Sequence, residues 1–133
     1  MMTHKIHVVA IDDVADILDL LEYNLTKEGM QVTTFTDSAE ALAYLHQNQV
    51  DVVVSDWMMP DPNGLEVCKS LKAHESTKNI PLIMLTCKGS LTDYKDAMDA
   101  GAADYVVKPV RMEELVRRIK LVLPNPYQRV KFG

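Results

Sequence analysis

The chain has 133 residues and a mass of 15.0 kDa, one domain's worth of protein, which excludes a multidomain architecture within this length. Hydrophobic residues make up 47% and charged residues 25%, ordinary proportions for a soluble domain with a core of its own. Lys plus Arg number 14 against 19 Asp plus Glu, a formal charge of -5, which argues against sequence-independent nucleic-acid binding, where a surplus of cations must displace counterions. No segment approaches the ~18 continuous apolar residues of a membrane helix. The apolar stretch Met1 to Ile11 is interrupted by Lys5 and His7 and lacks a small-residue cleavage site, so no membrane contact and a cytoplasmic location are expected. Cys68 and Cys87 have no metal or redox spacing and read as free thiols in a reducing compartment.

Along the chain, short apolar runs alternate with helical stripes. Ile6 to Ile11 reads as a strand, and Val14, Ile17, Leu18, Leu21 and Leu25 then fall at helical spacing up to Gly29, a candidate C-cap. Met30 to Phe35 alternates and is rich in β-branched residues. Asp37 with Glu40 resembles a capping box ahead of a helix carrying Ala41, Leu42 and Leu45. Val50 to Val54, broken only by Asp51, has the pattern of a central parallel strand covered on both faces. Pro60, Pro62, Asn63 and Gly64 mark a loop, with Asn63 read as shaping its turn. Leu65, Val67, Cys68 and Leu71 resume a helix. Pro81 to Leu85 is a fourth strand, Thr92 to Ala100 a helix ending at Gly101, and Tyr105 to Val107 a fifth strand. Met112, Leu115, Val116, Ile119 and Val122 or Leu123 line the last helix. Five strand–helix units predict an α/β parallel sheet with right-handed crossovers and helices on both faces. Residues 1–123 are expected to form the domain. Residues 124–133 have no periodicity and read as a tail or linker stub.

In open α/β sheets, ligands bind outside the carboxyl ends of the strands. The residues expected there are Asp12 and Asp13 after the first strand, Asp56 after the third, Thr86 after the fourth, and Lys108, followed by Pro109, after the fifth. Taken singly each has an innocent reading: Asp13 opens a helix, Thr86 sits in a turn, Lys-Pro is common. Together they place three carboxylates, a hydroxyl and an ammonium at one edge. Close carboxylates repel and raise one another's proton affinity. A divalent cation relieves this, and hard oxygen ligands suit Mg²⁺ rather than Zn²⁺. A carboxylate beside Mg²⁺ and Lys is a credible nucleophile for phosphoryl transfer, because the cations stabilise the equatorial oxygens.

The segments VVAIDD (8–13), VVVSDWMMPDPNG (52–64), IMLT (83–86) and GAADYVVKP (101–109), in this order and spacing, resemble the receiver domains of two-component response regulators over essentially Lys5 to Leu123. The resemblance implies a flavodoxin-like, doubly wound (βα)5 three-layer sandwich with strand order 2-1-3-4-5. It implies Asp56 as phosphoacceptor, and a Mg²⁺ site (Mn²⁺ as substitute) made by Asp13, Asp12, Asp56 and the backbone carbonyl of Met58. Thr86 and Lys108 match the family's hydroxyl and lysine, and Tyr105 its switching aromatic. The implied role is that of a signalling domain rather than a turnover enzyme: Asp56 takes a phosphoryl group from a sensor histidine kinase or phosphotransfer protein, Thr86 is drawn inward, and Tyr105 follows. A surface near the fourth helix and fifth strand then addresses a downstream protein or effector domain. The rival reading of Tyr105 is a half-exposed edge aromatic that never moves.

Trp57, Met58, Cys87 and Lys88 flank the phosphoryl site in this resemblance. Met58 cannot orient water through its thioether, which predicts a long-lived phosphorylated form. Cys87 stands where Ala or Gly is commoner. It either narrows access or, as the favoured reading, packs as a small buried hydrophobe. His4, His7, His46 and His74 share no strand edge and lie near none of the site residues, so packing explains them better than metal binding. The order Glu113, Glu114, then Arg117, Arg118, Lys120 suits the dipole of the last helix. In the DNA-binding branch of the family this face dimerises through charged pairs. Asp96, Asp99, Asp104, Arg111 and Arg118 offer a comparable homodimer through the last two helices and fifth strand. Two alternatives are carried: a receiver fragment of a longer DNA-binding regulator, and a haloacid-dehalogenase-type phosphatase. The phosphatase needs an Asp at the place of Met58 and a cap domain that this length does not hold.

Overall fold

A computed structural model of the chain describes residues 4–87 and 89–124. Of the expected tail or linker stub, 124–133, all but Pro124 lies outside the described residues, as does the flanking residue Lys88. The elements alternate strictly: β1 (His7–Ile11), α1 (Ala15–Lys27), β2 (Gln31–Phe35), α2 (Ser38–Gln47), β3 (Val52–Asp56), α3 (Gly64–Lys72), β4 (Leu82–Thr86), α4 (Leu91–Asp99), β5 (Asp104–Val107) and α5 (Met112–Val122). All strand pairs are parallel and the sheet order is β2-β1-β3-β4-β5, so the expected doubly wound flavodoxin-like fold is present.

Strand residues alternate between two cores, as the period of two requires. Val8, Ala10, Val52, Val54, Ile83, Leu85 and Val106 face α1 and α5, against Leu18, Leu21, Leu25, Leu115 and Ile119. Val9, Ile11, Val53, Leu82, Met84 and Tyr105 face the other way, against Ala41, Leu45, Val67, Cys68, Leu71 and Ala97 of α2, α3 and α4. β1, β3 and β4 are buried along their whole lengths, which explains their near-continuous apolar sequences.

The third and fourth strands start later than their apolar runs. Asp51 precedes β3 instead of interrupting it: its carboxylate accepts the His7 N–H at 2.8 Å, and its own N–H donates to the His7 carbonyl at 2.9 Å. Pro81 has no N–H to give a ladder, so β4 begins at Leu82, with the Pro81 carbonyl accepting from Val53 N–H at 2.9 Å. At their other ends, Asp56 and Thr86 are the last residues of these strands.

The helix starts also differ in detail. Asp37 caps α2 by accepting from Ala39 and Glu40 N–H. The two-way capping box forms instead at α3, where Asn63 Oδ1 accepts from Glu66 N–H at 2.9 Å and Glu66 Oε1 accepts from Asn63 N–H at 2.7 Å. Asn63 is therefore a helix cap as well as a turn residue.

Two glycines are required for different reasons. Gly29, after α1, has φ +85° and open space around it. Gly64, the first residue of α3, sits so close to β3 that a Cβ there would collide with the Asp56 carbonyl oxygen and lie 2.7 Å from Trp57 Cα. Gly29→Ala is expected to cost about 1 kcal/mol through backbone conformation alone. Gly64→Ala is expected to cost about 1–3 kcal/mol, because backbone cannot yield to the added methyl. Only Gly64→Ala should also alter the emission of Trp57 in the native state. Urea unfolding monitored by circular dichroism, with native-state fluorescence, separates the two effects.

Candidate functional site

The topology delivers the chemistry to one edge of the sheet. Asp12 follows β1, Asp56 ends β3, Thr86 ends β4 and Lys108 follows β5. The Lys108 ammonium lies 3.2 Å from Asp12 Oδ2 and 3.6 Å from Asp56 Oδ1. Asp12 is 1% exposed and Asp56 8%, while Asp13 reaches solvent. One carboxylate oxygen from each of Asp12, Asp13 and Asp56 lies within 4.8 Å of the others. Asp12 Oδ1 accepts the Val14 N–H at 2.9 Å, tying the carboxylate to the start of α1. Lys108 N–H donates to the Thr86 carbonyl at 2.8 Å, so the ends of β4 and β5 are locked together. The Lys108–Pro109 peptide is cis.

Burial pushes the Asp56 carboxyl above its ordinary range, and the neighbouring Asp12 adds to this. Lys108 and the backbone N–H groups of Met58 and Trp57 pull it back only in part. Burial disfavours the charged form of Lys108, yet Asp12 and Asp56 together outweigh it and the ammonium is held more firmly than usual. Lys108 is thus a fixed cation facing more negative charge than it can balance.

Beside Asp56 the chain turns sharply, with the Trp57 carbonyl accepting from Met59 N–H at 3.1 Å and Gly64 N–H at 3.0 Å. The turn opens a cleft of about 500 Å³ lined by Asp13, Trp57, Met58, Met59, Pro60 and Asn63. Met58 is 58% exposed there. The donor set of three carboxylates, without His or Cys, is all hard oxygen and fits Mg²⁺ or Mn²⁺.

Thr86 is fully buried and shares its face of β4 with Met84, the register partner of Tyr105 on β5. Tyr105 is buried as well, its ring edge-on to Trp57 at 6.3 Å and to Tyr94 of α4 at 5.6 Å. The half-exposed reading of Tyr105 is therefore corrected: α4 and Trp57 cover the ring. Cys87 is also corrected. It is exposed, because the residue after Thr86 points the opposite way as the chain leaves β4. It lies at the rim of a second groove, about 420 Å³ and largely apolar, which Ile17, Leu20 and Leu21 of α1 share with Lys108, Pro109 and Met112. Neither this groove nor the Trp57–Tyr105–Tyr94 stack was visible in the sequence. The Asn63 cap was missed too, although its three-residue spacing to Glu66 carried the signal.

Of the charges offered for a dimer face, Asp99, Asp104 and Arg118 pair within the chain. Arg118 bridges Asp104 and Glu114 at 2.7 Å each, Arg117 holds Glu114 at 2.7 Å, and Lys95 meets Asp99 at 2.8 Å. Hydrogen bonds from Arg117 and Arg118 bring the Glu114 carboxyl down to about 2.

A pH dependence follows from Asp56. Its carboxyl binds a proton more readily in the fold than in the unfolded chain, so its ionisation costs stability as pH rises through the folded value. In a metal chelator at pH 7, Asp56→Asn is expected to melt at a higher temperature than wild type. The gap should shrink as pH falls toward the ordinary carboxylate range, where both states are protonated. A lower melting temperature for Asp56→Asn at pH 7 would contradict this.

Residues 8–120 match the family model described as the response regulator receiver domain. The phosphate regulon transcriptional regulatory protein PhoB of Rhizobium meliloti (strain 1021) is 38% identical over 122 residues, covering 92% of this chain and 53% of that protein. The chain thus spans about half the length of this curated relative. Among solved structures, the chemotaxis protein CheY4 of Vibrio cholerae is similar with a TM-score of 0.85 and 32% identity, over 90% of this chain and all of that one. The receiver domain of the Francisella response regulator 1452 is similar with a TM-score of 0.84 and 29% identity, over 95% of this chain and 99% of that one. A sheet ordered β2-β1-β3-β4-β5, an acidic edge crossed by a lysine, and a family match running from β1 into α5 lead to one conclusion: this chain belongs to the receiver domains of two-component response regulators.

Proposed function

We propose that Asp56 is the phosphoacceptor of this receiver domain, which spans residues 1–123, and that Asp12, Asp13, Asp56 and the Met58 carbonyl hold Mg²⁺ for the transfer. The observation that carries the reading is the Lys108 ammonium set between Asp12 and Asp56 at the buried end of the sheet. The donor is a phosphohistidine of a sensor kinase or phosphotransfer protein. A carboxylate oxygen of Asp56 attacks phosphorus, the N–P bond breaks as the O–P bond forms, and the released imidazole nitrogen takes a proton from solvent. Mg²⁺, when bound, neutralises charge on the carboxylates and on the phosphoryl oxygens. Lys108 supplies a second, permanent positive charge on the same oxygens, and the Thr86 hydroxyl donates to one of them. The apolar groove beside Lys108 gives the donor a surface to cover, continuous with the acceptor. Self-phosphorylation from small phosphodonors and slow self-dephosphorylation belong to the same chemistry.

The switch begins from a buried Tyr105. Phosphorylation draws Thr86 toward the new oxygens, and its neighbours on that face, Met84 and Tyr105, repack against Trp57 and Tyr94. The changed surface is that of α4 and β5, a population shift within one fold. Partner choice follows: a kinase or phosphotransfer protein on the α1 side, an effector on the α4–β5 side, in the cytoplasm. Dimerisation through α4, β5 and α5 requires Asp104, Glu114, Arg117 and Arg118 to exchange partners. The curated relative matched over about half its length is a transcriptional regulatory protein, so a DNA-binding effector is one class of downstream partner. The phosphatase alternative is not favoured, since Met58 stands where its general acid is needed.

Trp57, the sole tryptophan, reports on the site. With Mg²⁺ and a small phosphodonor, wild type is expected to change fluorescence and to gain one phosphoryl group by intact mass. Asp56→Asn should gain none. A half-life of many minutes is expected for the phosphorylated form, and Met58→Asn should shorten it about tenfold, the effect of one water-orienting hydrogen bond worth about 1.4 kcal/mol. A wild-type half-life of seconds would contradict the role given to Met58. Phosphorylation of Asp56→Asn would contradict the role given to Asp56.

A further inference from the structure

Far from Asp56, two imidazoles from different elements meet. α2 and α3 both start beside the carboxyl ends of strands and run back across the sheet, so their C-terminal ends lie at the edge opposite the acidic cluster. His46 is in the last turn of α2 and His74 follows the C-cap Ala73 of α3. Their ring centroids are 4.8 Å apart and the planes are inclined at 78°. Both side chains are exposed.

At His74 a hydrogen bond fixes which nitrogen the ring offers. His74 Nδ1 lies 2.8 Å from the Ser70 carbonyl oxygen, which can only accept, so Nδ1 carries the proton and Nε2 presents its lone pair. His46 Nδ1 lies 3.2 Å from the Ser76 hydroxyl, which can accept in the same way. In metal-binding histidines the second ring nitrogen characteristically donates to a protein oxygen, which sets tautomer and orientation. Two imidazoles sharing one ion at ~2.1 Å through Nε2 hold their centroids roughly 5 Å apart, close to the spacing seen here. Among the described residues no third His, Cys, Asp or Glu joins the pair in a three-ligand group, so water completes the coordination.

We propose that His46 and His74 form a bidentate site for a divalent transition-metal ion, which clamps the end of α2 to the segment after α3. Nitrogen donors select Zn²⁺, Ni²⁺ or Cu²⁺ over Mg²⁺, so the chain carries two cation sites of different chemistry at opposite edges of one sheet. This site is independent of the phosphoacceptor reading.

The test is a Zn²⁺ titration of the untagged chain in excess Mg²⁺, which occupies the oxygen ligands. NMR of the imidazole Hε1 signals and calorimetry give the readout, on wild type, His46→Gln, His74→Gln and Asp56→Asn. One ion per chain is expected, with both rings shifting in step and a Zn²⁺-dependent rise in melting temperature. Each Gln variant should bind at least about tenfold more weakly, because the second ligand acts as a tethered donor. Both substituted positions are exposed, so the variants fold, and Asp56→Asn should bind Zn²⁺ as wild type does. Absent binding, a shift confined to one ring, affinity that survives either Gln substitution, or affinity lost in Asp56→Asn would each overturn the proposal.

Discussion

The organisation of this domain depends on one electrostatic arrangement: a single ammonium, Lys108, set against Asp12 and Asp56 where both carboxylates are nearly out of water. Bringing carboxylates together in a desolvated site is costly unless cations balance them, and Lys108 balances them only in part. The unmet charge appears as an Asp56 carboxyl that burial and Asp12 hold above its ordinary range. An edge in this condition gains by taking up a hard cation. The fold tolerates the arrangement because both faces of β1, β3 and β4 are packed, so the strand ends cannot splay apart to relieve the repulsion.

The same packing gives the site a route to the surface. Thr86 and Asp56 end adjacent parallel strands, and from Thr86 the face continues through Met84 to its register partner Tyr105. Tyr105 touches Trp57 on one side and Tyr94 on the other, so the residue after the acidic strand end and a residue of α4 share one aromatic neighbour. The proposed movement of Thr86 would reach α4 along this line of packed rings. On the neighbouring α5, Glu114 is gripped by Arg117 and Arg118 while Arg118 also holds Asp104 of β5. Arg117 is exposed while Arg118, Glu114 and Asp104 are half-buried, so the Arg117 pair contributes little stability and is the readiest to exchange its partner.

Much of this was legible in the sequence because the apolar pattern has two distinct periods. The alternation of strand and helix and the five polar residues at strand ends were all readable from position alone. The resemblance added the strand order. What escaped had tertiary causes. Hydropathy started β3 at Val50, yet the Asp51 carboxylate is committed to the His7 N–H, and pairing starts at Val52. A proline carries no ladder donor, which moved the start of β4 by one residue. Composition made Cys87 a buried hydrophobe, but its direction is set by the exit of the chain from β4. Tyr105 is buried by rings distant in sequence, which no local pattern encodes. The histidines at 46 and 74 were separately unremarkable, and their meeting is a product of helix packing.

The central claim is that one carboxylate, at position 56, is the acceptor. The most direct test is to treat the wild-type chain with Mg²⁺ and a small phosphodonor, reduce any acyl phosphate with borohydride, and locate the resulting homoserine by peptide mass mapping. The account predicts homoserine at position 56 and at no other aspartate. Homoserine at position 12 or 13, or an unreduced chain under conditions where intact mass shows a phosphoryl group, would contradict it.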